Sequence, residues 1–178
     1  MARLLLVALL AVLAACASVI GARTVEVPLA RLQQQAERAF PKEQRVLAVF
    51  DLRLSQPRLS LDPASHGLQL RLAVDVAQPL GAKHWQGELL LKGRLQLDRQ
   101  RQAVTVAELR PAGLTLNGRG SLDFGKDAPV LDRLAEKLGR ELVLYQFKPD
   151  ELRLAGVQFQ PLALRVRADA LAFTFEPQ

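Results

Sequence analysis

Apolar and polar positions alternate with a period of two through most of this chain. In "LQLRLAVDV", Leu68, Leu70, Leu72, Val74 and Val76 fall on one side and Gln69, Arg71 and Asp75 on the other. "FDLRL" places Phe50, Leu52 and Leu54 opposite Asp51 and Arg53. Pro57 interrupts that run. Leu59 and Leu61 resume in the opposite register, which predicts a bulge or an edge. "WQGELLLKGRLQLD" aligns Trp85, Leu89, Leu91, Leu95 and Leu97, and a further strand is expected near 103–109. "LTLNGRGSLDF" aligns Leu114, Leu116, Leu122 and Phe124. Such clean alternation describes a sheet with one covered face and one wet face, the habit of antiparallel sheets.

Two segments change to the helical period. "TVEVPLARLQQQAERAFP" predicts a short extended piece and then a helix with Leu29, Leu32, Ala36 and Phe40 near one face. Pro28 suits its first turn and Pro41 ends it. In "DAPVLDRLAEKLGREL", Leu131, Leu134, Ala135, Leu138 and Leu142 form the stripe, with Asp127 as the N-cap. "LVLYQF" reads as extended. "LRLAGVQFQPLALRVRADALAFTF" gives one or two last strands with a register change near Ala170. The fold class is therefore α+β: a long, curved antiparallel sheet packed against two helices.

The N-terminus follows neither period. Arg3 precedes an unbroken apolar run from Leu4 to Leu13, and Leu13-Ala14-Ala15-Cys16 follows. That is the order of a secretory signal. Its last four residues resemble the lipobox of bacterial lipoproteins, in which the cysteine takes a diacylglyceryl group and cleavage occurs before it. The resemblance implies a signal peptide over 1–15, a lipidated tether over 16–23 and one domain over 24–178. Cys16 is then the lipid-modified residue. Ala17, rather than Asp, favours the periplasmic face of the outer membrane. An uncleaved membrane helix over 4–22 is the competing reading, weakened by Ser18 and Gly21.

Composition adds less. The chain has 178 residues, 49% of them hydrophobic, and a formal net charge of +6, one unit of which lies in the signal segment. Its single cysteine excludes an intramolecular disulfide. His66 and His84 have no metal-ligand spacing, so no metal and no cofactor are expected. Ser65 beside His66 reads as a polar turn. The G-x-G of "NGRGSLDFG" sits in a strand pattern, without the strand–turn–helix context of a phosphate loop. Few aromatics and an export signal argue against nucleic acid. No enzyme is expected.

The wet strand faces carry Arg71, Lys92, Arg94, Arg119, Arg165 and Arg167 among Asp75, Asp98, Asp123 and Asp169. Mixed charge of this kind serves solubility, with a surface for anionic head groups as the alternative. Gly87, Gly93, Gly118 and Gly120 alternate with the apolar positions, so all four should face the covered side. There they mark either close packing or a groove for a ligand.

The order of lipobox, helix, long strands, second helix, "VLYQF" and terminal "LAFTF" resembles the YceB-like family of periplasmic lipoproteins. That family is similar in fold to the tubular lipid-binding (TULIP, BPI-like) superfamily. The resemblance implies binding of a lipid or other apolar ligand between sheet and helices, with no catalytic residues. A structural or adaptor lipoprotein that docks an envelope protein is the alternative.

Overall fold

The computed structural model describes residues 21–46, 50–78, 84–118, 128–154 and 156–178. The described elements are β1 (Arg23–Pro28), α1 (Leu29–Ala39), β2 (Lys42–Val46), β3 (Phe50–Asp62), β4 (Gly67–Ala77) and β5 (His84–Asp98). They continue with β6 (Ala103–Gly118), α2 (Ala128–Glu141), β7 (Val143–Gln146), β8 (Arg153–Leu154), β9 (Val157–Val166) and β10 (Ala170–Pro177). The α+β class and the antiparallel pairing are as the alternation predicts. The strands form two sheets, however, rather than one: a six-stranded β2-β3-β4-β5-β6-β7 and a four-stranded β1-β10-β9-β8. The first and last described strands meet in the smaller sheet, where Arg23 lies opposite Phe175 and Pro28 opposite Ala170.

The six-stranded sheet buries the side that its sequence marks as apolar. Leu68, Leu70, Leu72, Val74 and Val76 of β4 are all buried, as are Trp85, Leu89, Leu91 and Leu95 of β5. Each such side chain contributes roughly 1.5–3 kcal/mol relative to exposure, which is why the register cannot slip. Helix α1 turns Leu32 and Ala36 onto this face. It touches both β3 and β7, four strands apart in the sheet order. In a flat sheet these strands would be about 19 Å apart, wider than a helix. The sheet therefore curls around α1, the arrangement expected of a tubular lipid-binding fold.

Helix α2 closes the remaining gap. Beyond Thr105, β6 has no partner in β7, and α2 packs along that stretch of β6. On its far side, Lys42 of β2 donates to Glu141 at 2.6 Å and Lys137 donates to Gln44 at 3.5 Å. The two edges of the curled sheet are thus bridged by one helix. The Lys42 ammonium holds the Glu141 carboxyl below its usual range. Asp127, read as the cap of this helix, lies outside the described residues, as does the 119–124 part of the preceding strand.

Two irregularities set the shape. β3 is one strand with a register shift between Ser55 and Arg58, and Gln56 has φ 49°. The helix repairs the broken ladder. Gln33 of α1 donates from Nε2 to the Pro57 carbonyl at 2.6 Å and accepts from the Leu59 amide at 2.9 Å. β6 carries two more shifts, opposite Leu90/Leu91 and Lys92/Arg94, with Glu108 at φ 51°. β2 was not expected from the sequence, because "KEQRV" has no apolar alternation. The expected register change near Ala170 is a hairpin, in which Arg167 N donates to Ala170 O at 2.9 Å.

An aromatic cluster joins the sheets. Phe147, just after β7, lies edge-on to Phe173 and Phe175 of β10 at 4.9 and 5.4 Å and to Tyr145 at 5.2 Å. The Tyr145 hydroxyl donates to Glu151 Oε1 at 2.7 Å. Arg31 of α1 donates to the same oxygen at 3.2 Å and stands over the Tyr145 ring at 5.3 Å. Burial, and then the neighbouring Glu151 carboxylate, push the phenol up to about 12.

Two outcomes follow from these contacts. Gln33→Ala leaves one donor and one acceptor of β3 without their partner, and should lower stability by about 1–3 kcal/mol in urea unfolding. Tyr145 is the only tyrosine, so the alkaline absorbance of tyrosinate reads it alone. Its folded pKa lies above that of the unfolded chain. The stability it supplies is therefore complete below pH 10 and lost as pH rises toward 12. That loss is on the order of 2–3 kcal/mol. A midpoint near 10 in the folded protein would contradict the buried hydrogen bond.

Candidate ligand cleft

Of the four glycines expected to line a groove, Gly87 and Gly93 sit where the alternation puts them, on the inner side of β5, but protein occupies the space beside them. A Cβ on Gly87 would land on the carbonyl group of Thr115 in β6. A Cβ on Gly93 would lie 2.6 Å from Val106 Cγ1 and 3.0 Å from Leu109 Cδ1. Both glycines therefore serve close packing against β6, and neither opens a groove. Gly118 ends β6 opposite Trp85. Gly120 and Cys16 lie outside the described residues.

The room is instead one layer further out, between β6 and α2. A cleft of about 490 Å³ is lined by Val106, Ala107, Leu109 and Gly139, with Glu108, Arg110, Asp132, Glu136 and Arg140 also around it. Val106, Leu109 and Gly139 are buried and form an apolar floor. Local geometry explains the opening. The bulge at Glu108 lifts β6 out of regular pairing, since the extra residue bends the strand. Gly139 then lets the helix approach, because a Cβ there would be 3.1 Å from Leu109 Cβ. The cleft thus lies between β6 and α2, on residues that the alternation did not single out. One signal was available. A glycine inside a helix costs about 1 kcal/mol relative to alanine, so Gly139 asks for a packing reason.

The polar groups around the cleft are mixed in sign. Arg140 and Glu136 pair at 2.8 Å. Glu108 and Asp132 face the same opening with Arg110. Such a rim suits a ligand with an apolar body and a polar end.

A second cleft of about 510 Å³ lies on the outer side of β2–β4, lined by Glu43, Arg45, Asp51, Arg53 and Asp75 among others. Its charges pair with one another. Arg45 meets Asp51 at 3.0 Å, Arg53 meets Glu43 at 3.8 Å and His84 meets Asp75 at 2.9 Å. The Gln86 amide, and then the His84 ring, hold the Asp75 carboxyl below its usual range. This is a surface network of paired polar side chains. His66 is exposed in the turn after β3. Among the described residues, no three His, Cys, Asp or Glu side chains are grouped to hold a metal, and no helix is long and apolar enough to cross a membrane.

The packing at the two glycines ranks their substitutions. Gly87→Ala meets backbone, which cannot move aside, whereas Gly93→Ala meets side chains, the stiff Val106 and the more adaptable Leu109. Gly93→Ala should cost about 1 kcal/mol and Gly87→Ala about 3 kcal/mol, read from denaturant midpoints. Equal costs would contradict the different neighbours.

No protein-family model and no curated protein matches the sequence, so the YceB-like resemblance stands on element order and apolar pattern. Among solved structures, the chain is similar to P47 of Clostridium botulinum E1. The identity is 10% and the TM-score 0.48, with 77% of this chain and 36% of that one covered. It is also similar to a lipopolysaccharide binding protein, with 16% identity, a TM-score of 0.38, and 89% of this chain and 50% of that one covered. The chain thus spans about a third and half of the lengths of these two structures. At such scores neither likeness bears on function.

Proposed function

We propose that this chain is a lipid-anchored envelope protein that holds an apolar ligand, a lipid, in the cleft between β6 and α2. One observation carries the reading: an opening of about 490 Å³ with Val106 and Leu109 as its floor and charged side chains around it. Ligand sites of this kind are concave and mostly apolar, with a few polar groups to orient one end. The ligand's chain lies on Val106 and Leu109, and its polar end meets Arg110 or Arg140. Cys16 carries the acyl groups, which hold the domain at the periplasmic face of the outer membrane. Two or three acyl chains suffice for stable anchoring. The role is binding, without catalysis and without a cofactor.

Three measurements test this. Native mass spectrometry of the purified chain should show co-purified lipid; an empty protein would favour an adaptor that docks a protein partner. Asp132 is exposed on α2 at the cleft, and Asp132→Trp should fill it without entering the core. A fluorescent fatty acid should then bind about tenfold more weakly, a difference of roughly 1.4 kcal/mol, with the unfolding midpoint unchanged. Undiminished binding by the folded variant would place the ligand elsewhere or nowhere. Cys16→Ser should accumulate unprocessed precursor that takes up no labelled palmitate; normal labelling would refute the anchor.

A further inference from the structure

The outer face of the six-stranded sheet is not uniformly mixed in charge. Toward β2, each cation has an acidic neighbour, as in the ladder Glu43, Arg53, Asp75. Toward the β5–β6 hairpin the pattern changes. Arg58 lies directly opposite Arg71, and Lys92 directly opposite Arg110. Arg94 follows two positions along β5. All five side chains are exposed. Arg71 meets Glu88 at 3.4 Å, but Arg58, Lys92, Arg94 and Arg110 form no ion pair among the described residues. Like charges facing each other across strands destabilise a sheet. Two such rungs side by side are a cost that Asp62, beside Lys92, offsets in part and that an external anion lowers further. Between Arg58 and Arg71 a shallow cleft of about 220 Å³, lined also by Leu59, Ser60, Gln69 and Leu90, gives that anion a seat.

The path of the chain decides which anion. Arg23, where the domain begins, lies opposite Phe175, and Phe175 lies opposite Pro161. Two strand spacings are about 10 Å. Next to Pro161, the Leu162 carbonyl accepts from Arg99 at 2.8 Å, and Arg99 is in the β5–β6 turn. The N-terminal tether therefore enters the domain at its β5–β6 turn end, and Lys92 lies roughly 23 Å from Arg99 along β5. Residues 16–22 reach at most roughly 25 Å, so an anchored domain stays beside the bilayer, with its mid-strand basic rungs able to lie against it.

We infer that the Arg58, Arg71, Lys92, Arg94 and Arg110 face docks on anionic phospholipid head groups and holds the anchored domain against the membrane. The inference rests on the anchor at Cys16, and the test separates the two. The full chain, purified from bacterial membranes, is mixed with vesicles of phosphatidylcholine alone or of phosphatidylcholine with phosphatidylglycerol. Retention on the neutral vesicles reads the anchor. The rate at which an acylating reagent modifies Lys92, followed by mass spectrometry, reads the docking.

Lys92 should be protected at least about fivefold on the anionic vesicles and not on the neutral ones, since one cation near such a surface is worth roughly that factor. Protection should vanish in about 1 M salt, where the screening length falls to about 3 Å. Arg58→Gln with Arg94→Gln should remove the protection while leaving retention on neutral vesicles, and the unfolding midpoint, unlowered. Equal modification of Lys92 on both vesicles, with the chain retained, would overturn the docking and spare the anchor. Failure to stay on neutral vesicles would refute the anchor, while salt-sensitive binding to anionic vesicles alone would still support the docking face. Equal protection by inorganic phosphate without vesicles would show a free-anion site and overturn the membrane assignment.

Discussion

A long sheet with one apolar face has to have that face covered, and the rest of this molecule follows from how it is done. The inward row of β4, Leu68 to Val76, is too long for one short helix to cover on a flat surface. Curling solves the problem by bringing β3 and β7 to the same helix, so that Leu32 and Ala36 of α1 meet apolar side chains on both sides. The smaller sheet then supplies Phe173 and Phe175 at the place where α1 and the curled sheet leave space. α2 bridges the two edges that curling brings toward each other. Each element hides a surface that the previous one leaves open.

The irregular positions are where this plan meets the limits of regular pairing. A strand as long as β3 or β6 cannot keep one register through a tight curve. Both bulge, and a bulge leaves backbone groups unpaired. At β3 a helix side chain, Gln33, supplies the missing donor and acceptor. At β6 the edge is covered by α2, with Gly139 allowing the close approach. The cleft is a by-product of that second repair. A bulged edge and a straight helix fit at Leu109 and part on either side of it.

Much of this was legible in the sequence, and the illegible part has physical reasons. Alternation located β3, β4, β5 and both halves of β6, because burial on one side imposes it, although it read those halves as two strands where the bulged β6 is one. The helices were visible as two apolar stripes. The Leu59–Leu61 register change announced the bulge. What alternation cannot convey is which strands pair, so the division into two sheets and the β1–β10 contact were invisible. β2 was missed because an edge strand that pairs mainly through its backbone needs no apolar side chains. The glycines of β5 were placed on the correct face, but a missing side chain reads the same whether a ligand or a neighbouring strand takes the space. At Gly87 and Gly93 the neighbour takes it.

The pairing of β1 with β10 has a consequence for the timing of folding. Contacts between the first and last strands carry the largest loop-closure cost, and chains rich in such contacts fold slowly. A chain threaded through a narrow channel with its N-terminus leading would expose β1 first and hold it unpaired until residue 170 and those after it emerged. The aromatic residues of β10 would arrive last of all, and with them the seal between the sheets. Such a chain would stay open for the whole of its passage and close at its end. Until then, its long apolar sheet face would wait without cover.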